Sequence, residues 1–115
     1  MTDPESPAPL TIAEAQRLVD EWIGSTGKGY FAPLTNLARL TEEVGELARI
    51  YSRRHGELKP KSSDDVSDAA LASEMGDVFF VLLCLANQEG IDLTDALEAV
   101  IAKVTRRDLR SGRHD

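Results

Sequence analysis

Five carboxylates stand at spacings suited to metal chemistry. In Glu42-Glu43-Val44-Gly45-Glu46, Glu42 and Glu46 are four apart and Glu43 and Glu46 three apart, so on a helix all three share one flank. After 27 intervening residues, Glu74-Met75-Gly76-Asp77 repeats the three-residue spacing. Asp77 runs directly into Val78-Phe79-Phe80-Val81-Leu82-Leu83, and a charge in such surroundings is costly unless it is paired or coordinated. If the two segments pack with these flanks facing, the acids converge. Two like charges ~5 Å apart repel by about 3 kcal/mol at an effective dielectric of about 20, and several such pairs would remove much of a small domain's stability. Protonation or a hard dication relieves this. All-oxygen ligation favours Mg²⁺, or Mn²⁺ in its place, over zinc, and Mg²⁺ takes its remaining ligands from water and substrate phosphates. The pattern points to phosphate-ester chemistry.

The opposing interpretation is a solvated acidic face, with Arg39 and Arg49 pairing with Glu42, Glu43 and Glu46 at helical spacing. Asp77 in its apolar segment weighs against that. Gly45 and Gly76 each precede a motif carboxylate. Glycine costs ~1 kcal/mol in a helix interior, so close helix approach or a bulky ligand is the expected reason for both.

These residues need helices to position them, and the chain supplies four. Thr11-Ile-Ala-Glu14 is a capping box, followed by Ile12, Ala15, Leu18, Val19, Trp22 and Ile23 at helical spacing until the glycines of 24–29. Pro33 opens a second helix, with Leu34, Leu37, Ala38, Thr41, Val44, Leu47, Ala48 and Tyr51 as its apolar stripe and Gly56 as its stop. A polar loop over 56–67 leads to a third helix that starts between Ser63 and Ala69 and ends before Gly90. From Met75 onward it is apolar nearly all round, which predicts burial on most sides. The fourth helix, about Thr94 to Leu109, turns Leu97, Val100, Ile101 and Val104 inward. The fold expectation is all-α: a single four-helix bundle-like domain over 10–110, behind a disordered lead-in (1–9) and before a flexible tail (111–115). The apolar excess further predicts self-association into at least a dimer.

Composition narrows the function classes. The 115 residues allow one domain. A net charge of −7 argues against binding a nucleic acid polymer. The longest wholly apolar run, Val78 to Ala86, is too short to span a bilayer, so no membrane is expected. The polar, Pro-rich N-terminus and single cysteine, Cys84, fit a cytoplasmic location. A di-iron bundle needs Glu-x-x-His pairs, and neither His55 nor His114 has a Glu three before it.

Glu42-Glu43-x-x-Glu46 followed by Glu74-x-x-Asp77 resembles the signature of the MazG-type nucleotide pyrophosphohydrolases. The likeness extends to Gly29-Tyr-Phe-x-Pro-Leu34, Leu37 to Arg49, Cys84-Leu-Ala-Asn87 and Gly90-Ile-Asp-Leu93, and covers roughly residues 12–109. It implies a Mg²⁺-dependent enzyme that cleaves a nucleoside triphosphate between the α and β phosphates, releasing a monophosphate and pyrophosphate. Glu43, Glu46, Glu74 and Asp77 would hold metal. Glu42 would hold a second metal or orient and deprotonate the attacking water, so Glu42 and Glu43 both stand as catalytic candidates. Lys103 and Arg107, four apart, resemble the family's triphosphate-binding pair. Lys59 and Lys61 are loop cations within reach of a nucleotide. Asn87 is the candidate for contact with base or sugar, and Tyr30 and Phe31 for stacking. Short members suggest a role in clearing non-canonical nucleotides from the pool. The rival from another class is a non-catalytic helical dimerisation or adapter module that needs no metal.

Overall fold

The structure, a computed structural model, describes residues 8–56 and 64–111, with side chains as far as residue 107. It contains helices α1 (Ile12–Ser25), α2 (Pro33–His55), α3 (Asp68–Glu89) and α4 (Leu93–Ser111). The described residues contain no strand, so the all-α expectation holds. Residues 1–7, Lys59, Lys61 and residues 112–115 lie outside the described residues, and with them most of the expected lead-in and tail.

The helix ends follow from local chemistry. The Thr11 hydroxyl accepts the Glu14 amide, Pro33 occupies the first turn of α2, and the Ser67 hydroxyl accepts the Ala70 amide. The Asp92 carboxylate accepts the Asp95 amide at the start of α4. Each satisfies, or in proline's case removes, an amide that the first turn leaves without a partner. Gly90 closes α3 at φ 67°, a left-handed conformation that glycine adopts without steric cost.

α2 and α3 pack along their length, and α1 lies on α3. The start of α2 meets the end of α3 through Asn36 and Gln88, and its end meets the start of α3 through Arg54 and Asp68, so the pair is antiparallel. Val19, Leu83 and Cys84 form the core, with Ala15, Ile23, Tyr30, Phe80 and Leu93 against them. Burial raises the Cys84 thiol pKa, as expected of a small buried hydrophobe.

Three expectations about burial are corrected. Residues of the stripe read on α2 are exposed, Leu34, Leu37, Val44 and Tyr51 among them. The packed seam instead runs through Asn36, Leu40, Glu43, Leu47, Ile50 and Arg54, at alternating spacings of four and three. Half of that seam is polar, so an apolar period could not reveal it. α3 is also less buried than its composition suggests: Val81, Leu83, Cys84 and Ala86 are covered, whereas Met75, Phe79 and Leu82 are exposed. Finally, Leu97, Val100, Ile101 and Val104 do not turn inward. α4 packs against α1 and, through Leu93, against the core, and every described α4 side chain from Asp95 to Arg107 is exposed.

By length and composition α3 could cross a membrane, despite the short uninterrupted run. It is instead the helix that both α1 and α2 pack against.

Close helix approach does not explain Gly45 and Gly76, because a Cβ added at either meets nothing within 4 Å. Gly45→Ala and Gly76→Ala should therefore each stabilise the metal-free protein by about 0.5–1 kcal/mol, the ordinary helical gain, read as a higher urea midpoint at unchanged slope. A lower midpoint would mean that another surface occupies the space.

Candidate active site

The α2–α3 seam brings carboxylates together near its middle. One oxygen from each of Glu43, Glu74 and Asp77 lies within 4.8 Å of the other two. Opposite ligands of an octahedral Mg²⁺ stand about 4.2 Å apart, from bond lengths of about 2.1 Å, so small side-chain adjustments would close these oxygens on one hard cation. Glu74 carries the electrostatic load. Its Oε2 is buried without a hydrogen-bond partner among the described residues. Desolvation raises its pKa above the usual carboxylate value, and the charges of Glu46, Asp77 and Glu43 raise it further, against a lowering by Arg49. A buried acceptor that none of the described residues satisfies, beside two more carboxylates, fits a divalent cation.

Glu46 is exposed but close enough for its charge to reach Glu74. Glu42 is exposed and lies outside the three-oxygen group. The convergence expected of five acids is thus three, with Glu46 beside them. The pairing of Arg39 and Arg49 with the α2 acids is not seen. Arg39 donates to Asn36 Oδ1 and lies 4.9 Å from the Phe31 ring centre.

Two cavities flank the group. The first, about 510 Å³, is lined by Trp22, Ile23, Phe31, Asn36, Arg39 and Phe80, with Tyr30 and Thr26 near them. Arg39 precedes Glu43 by one turn of α2, and Phe80 follows Asp77 by one turn of α3. Trp22, one of the apolar residues read at helical spacing on α1, is 59% exposed and meets Phe80 edge-on at 6.1 Å. The second cavity, about 250 Å³, is lined by Glu46, Arg49, Arg53, Asp64, Val66 and Glu74 among others. The carboxylates therefore sit between an aromatic cavity and a charged one.

Asn87 lies ten residues beyond Asp77, about 15 Å along the helix, and its amide is fully engaged. It donates to the Gln16 carbonyl and the Tyr30 hydroxyl and accepts from Gln16 Nε2. Gln16 also holds the Ile91 carbonyl and the Leu93 amide, while Tyr30 donates to Asp20. Desolvation and the Asp20 contact push the Tyr30 hydroxyl up to about 12. This network ties α1 to the α3–α4 turn. Lys103 and Arg107 are exposed on α4, the helix that does not pack along the carboxylate seam. What the apolar period missed was Asn36, fully buried and bonded to Gln88 and Arg39. Its place in the run 36–40–43–47–50–54 was the available signal.

Two outcomes follow. Asn87→Ala should destabilise the fold by about 1–3 kcal/mol, the cost of orphaning buried partners, read as a lower denaturation midpoint. Glu74 has a folded pKa above its unfolded one, so its stabilising contribution is present below the ordinary glutamate pKa and is lost as pH rises through the folded value. Without divalent metal, Glu74→Gln should therefore melt above wild type at pH 7 and lose that advantage near pH 4. Added Mg²⁺ or Mn²⁺ should raise the melting temperature of wild type more than that of the variant.

Comparison with known proteins gives the family of the chain that carries these residues. The family model for the MazG nucleotide pyrophosphohydrolase domain matches residues 31–110. YpjD from Bacillus subtilis is 47% identical over 98 residues, covering 85% of this chain and 86% of that protein. YvdC from the same organism is 31% identical over 102 residues, covering 85% and 96%. The crystal structure of Bacillus subtilis YpjD superposes with a TM-score of 0.75 at 45% identity, covering 84% of this chain and 97% of that one. A Bacillus-conserved MazG protein, described as a nucleotide pyrophosphohydrolase, gives 0.73 at 40% identity, covering 85% and 93%. The carboxylate seam thus belongs to a chain with relatives along most of its length, and the chain is a member of the MazG nucleotide pyrophosphohydrolase family.

Proposed function

We propose that this protein is a Mg²⁺-dependent nucleoside triphosphate pyrophosphohydrolase, with Mn²⁺ as a working substitute, that acts in clearing the nucleotide pool. The observation that carries this reading is the buried, unpartnered Glu74 oxygen beside Glu43 and Asp77. A solvated acidic face on an adapter module would leave no such atom. In the reaction, water adds to the α phosphorus of the (d)NTP, the bond to the α–β bridging oxygen breaks, and (d)NMP and pyrophosphate leave.

Glu43, Glu74 and Asp77 hold the cation, with Glu46 next in reach. The cation supplies polarisation of the phosphoryl oxygens and offsets charge on the leaving group. Glu42 lies on the same helix, outside the ligand group. Its oxygens are outside the three-oxygen group, which leaves it free to take a proton from the attacking water, and Glu43 is the alternative. The aromatic cavity beside Arg39 receives the nucleoside, with Phe31 and Trp22 offering faces or edges to a base.

Self-association completes this reading. Leu97, Val100, Ile101 and Val104 form an uncovered apolar stripe on α4, with Lys103 and Arg107 beside Val100 along its edge. A second copy seated on that stripe would bring these cations toward the substrate held by its partner. Neither a nucleic acid polymer nor a membrane is a partner in this reading, and the location is cytoplasmic.

The deciding measurement is pyrophosphate release from a panel of canonical and modified (d)NTPs with Mg²⁺ or Mn²⁺. Asp77→Asn should lower kcat by about 100-fold or more, since even residues that only support a metal ligand are worth about 10–100-fold. Release that needs no divalent metal, or that survives in Asp77→Asn, would overturn the reading.

A further inference from the structure

The charged cavity has features that the carboxylate group does not require. It is contiguous with that group, since Glu46 and Glu74 line it, and from Glu46 it continues along α2 through Arg49 and Arg53. Arg49 is exposed and has no hydrogen-bond or ion-pair partner among the described residues. It borders the same cavity as Glu46 and Glu74, which places it next to the carboxylate group. Arg53 lines the same cavity and is held there by Asp64 at 3.1 Å from across the α2–α3 connection. A guanidinium is a planar fork suited to phosphate oxygens, and here one is unengaged and a second is positioned, on the side of the carboxylates away from the aromatic cavity.

We infer that this cavity is the subsite for the leaving pyrophosphate, with Arg49 as its principal cation and Arg53 as its second. The inference rests on the proposed reaction for its meaning and fixes the polarity of the nucleotide. The nucleoside lies toward Phe31 and Arg39, the α phosphorus at the carboxylate group, and the β and γ phosphates toward Arg49. Among the described residues, the cavity's other charges are carboxylates: Glu46 and Glu74 on the helices, Asp64 and Asp65 on the connection. Pyrophosphate therefore binds as its complex with the divalent cation, whose charge offsets theirs, and not as the free anion. Arg53 exchanges its contact with Asp64 for a phosphate oxygen, or shares it.

The test is calorimetric titration with inorganic pyrophosphate, in the presence and absence of Mg²⁺, of wild type and Arg49→Gln, with Arg49→Lys to separate charge from fork geometry. Arg49 is exposed, so the variants should fold, and circular dichroism checks this. The expected result is Mg²⁺-dependent binding to wild type, a Kd raised at least tenfold in Arg49→Gln, and an intermediate value in Arg49→Lys. A nucleoside monophosphate should bind alongside pyrophosphate without displacing it, with an affinity that Arg49→Gln leaves unchanged. Wild-type affinity for pyrophosphate in Arg49→Gln, no binding to wild type at millimolar concentration, or mutual displacement of pyrophosphate and monophosphate would each overturn the subsite. Failure of the pyrophosphohydrolase reading looks different: pyrophosphate binds through Arg49, but no nucleotide is hydrolysed.

Discussion

The repulsion among Glu43, Glu74 and Asp77 is the constraint around which the fold is arranged. Left alone, it would push α2 and α3 apart at the middle of their seam. The two ends of the seam oppose that. At one end Asn36 donates to Gln88, whose own amide donates to the Phe31 carbonyl. At the other, Arg54 meets Asp68 and Arg53 meets Asp64. Between the first of these ends and the acids, Val81 and Cys84 are buried almost completely. The helices are thus clamped on both sides of a like-charge contact that neither would form spontaneously. Ligands carried on clamped helices keep their geometry better than ligands on loops, which is what a metal site needs.

That arrangement explains which features were legible in the sequence. Helix ends were readable because they depend on nearest neighbours: the Thr11 hydroxyl, the Pro33 ring and the left-handed Gly90 each act within one turn. The clustered acids were readable because their spacing obeys the helical period regardless of partners. The packed face of α2 was not. Apolar periodicity identifies a core only when the core is apolar, and here the seam alternates Leu40, Leu47 and Ile50 with Asn36, Glu43 and Arg54. The competing stripe of Leu34, Leu37, Val44 and Tyr51 is regular, and it is exposed. Local consistency fails where function imposes charge on a contact surface.

A similar argument covers Asn87 and the α4 cations. A polar residue near the end of a buried helix reads equally well as a ligand contact or as a structural tie, because both require an amide with nearby partners. Only the three-dimensional register, with Gln16 and Tyr30 against it, decides between them. For Lys103 and Arg107 the spacing of four was informative about their shared face but silent about what that face meets. The contact geometry of α4 is set by Leu93 and the Gln16 network at its first turn, and among the described residues no side-chain hydrogen bond or ion pair ties the helix further along.

Placing the carboxylates midway along a helix pair also separates two tasks that an enzyme of this size must perform. In the proposed reaction, chemistry is confined to one layer of the α2–α3 seam. One turn to one side, the walls come from α1 and the segment leading into α2: Trp22, Tyr30 and Phe31 could change to suit a different base without moving a proposed metal ligand. One turn to the other side, the walls come from the second half of α2 and the connection to α3, where Arg49 and Arg53 meet charge and not shape. A base is recognised by the shape and hydrogen bonding of its surroundings, a phosphate chain by charge and fork geometry. Substrate choice can therefore drift at one end of the seam while the reacting layer and its clamps stay fixed, which is how one small helical scaffold can serve many nucleotides.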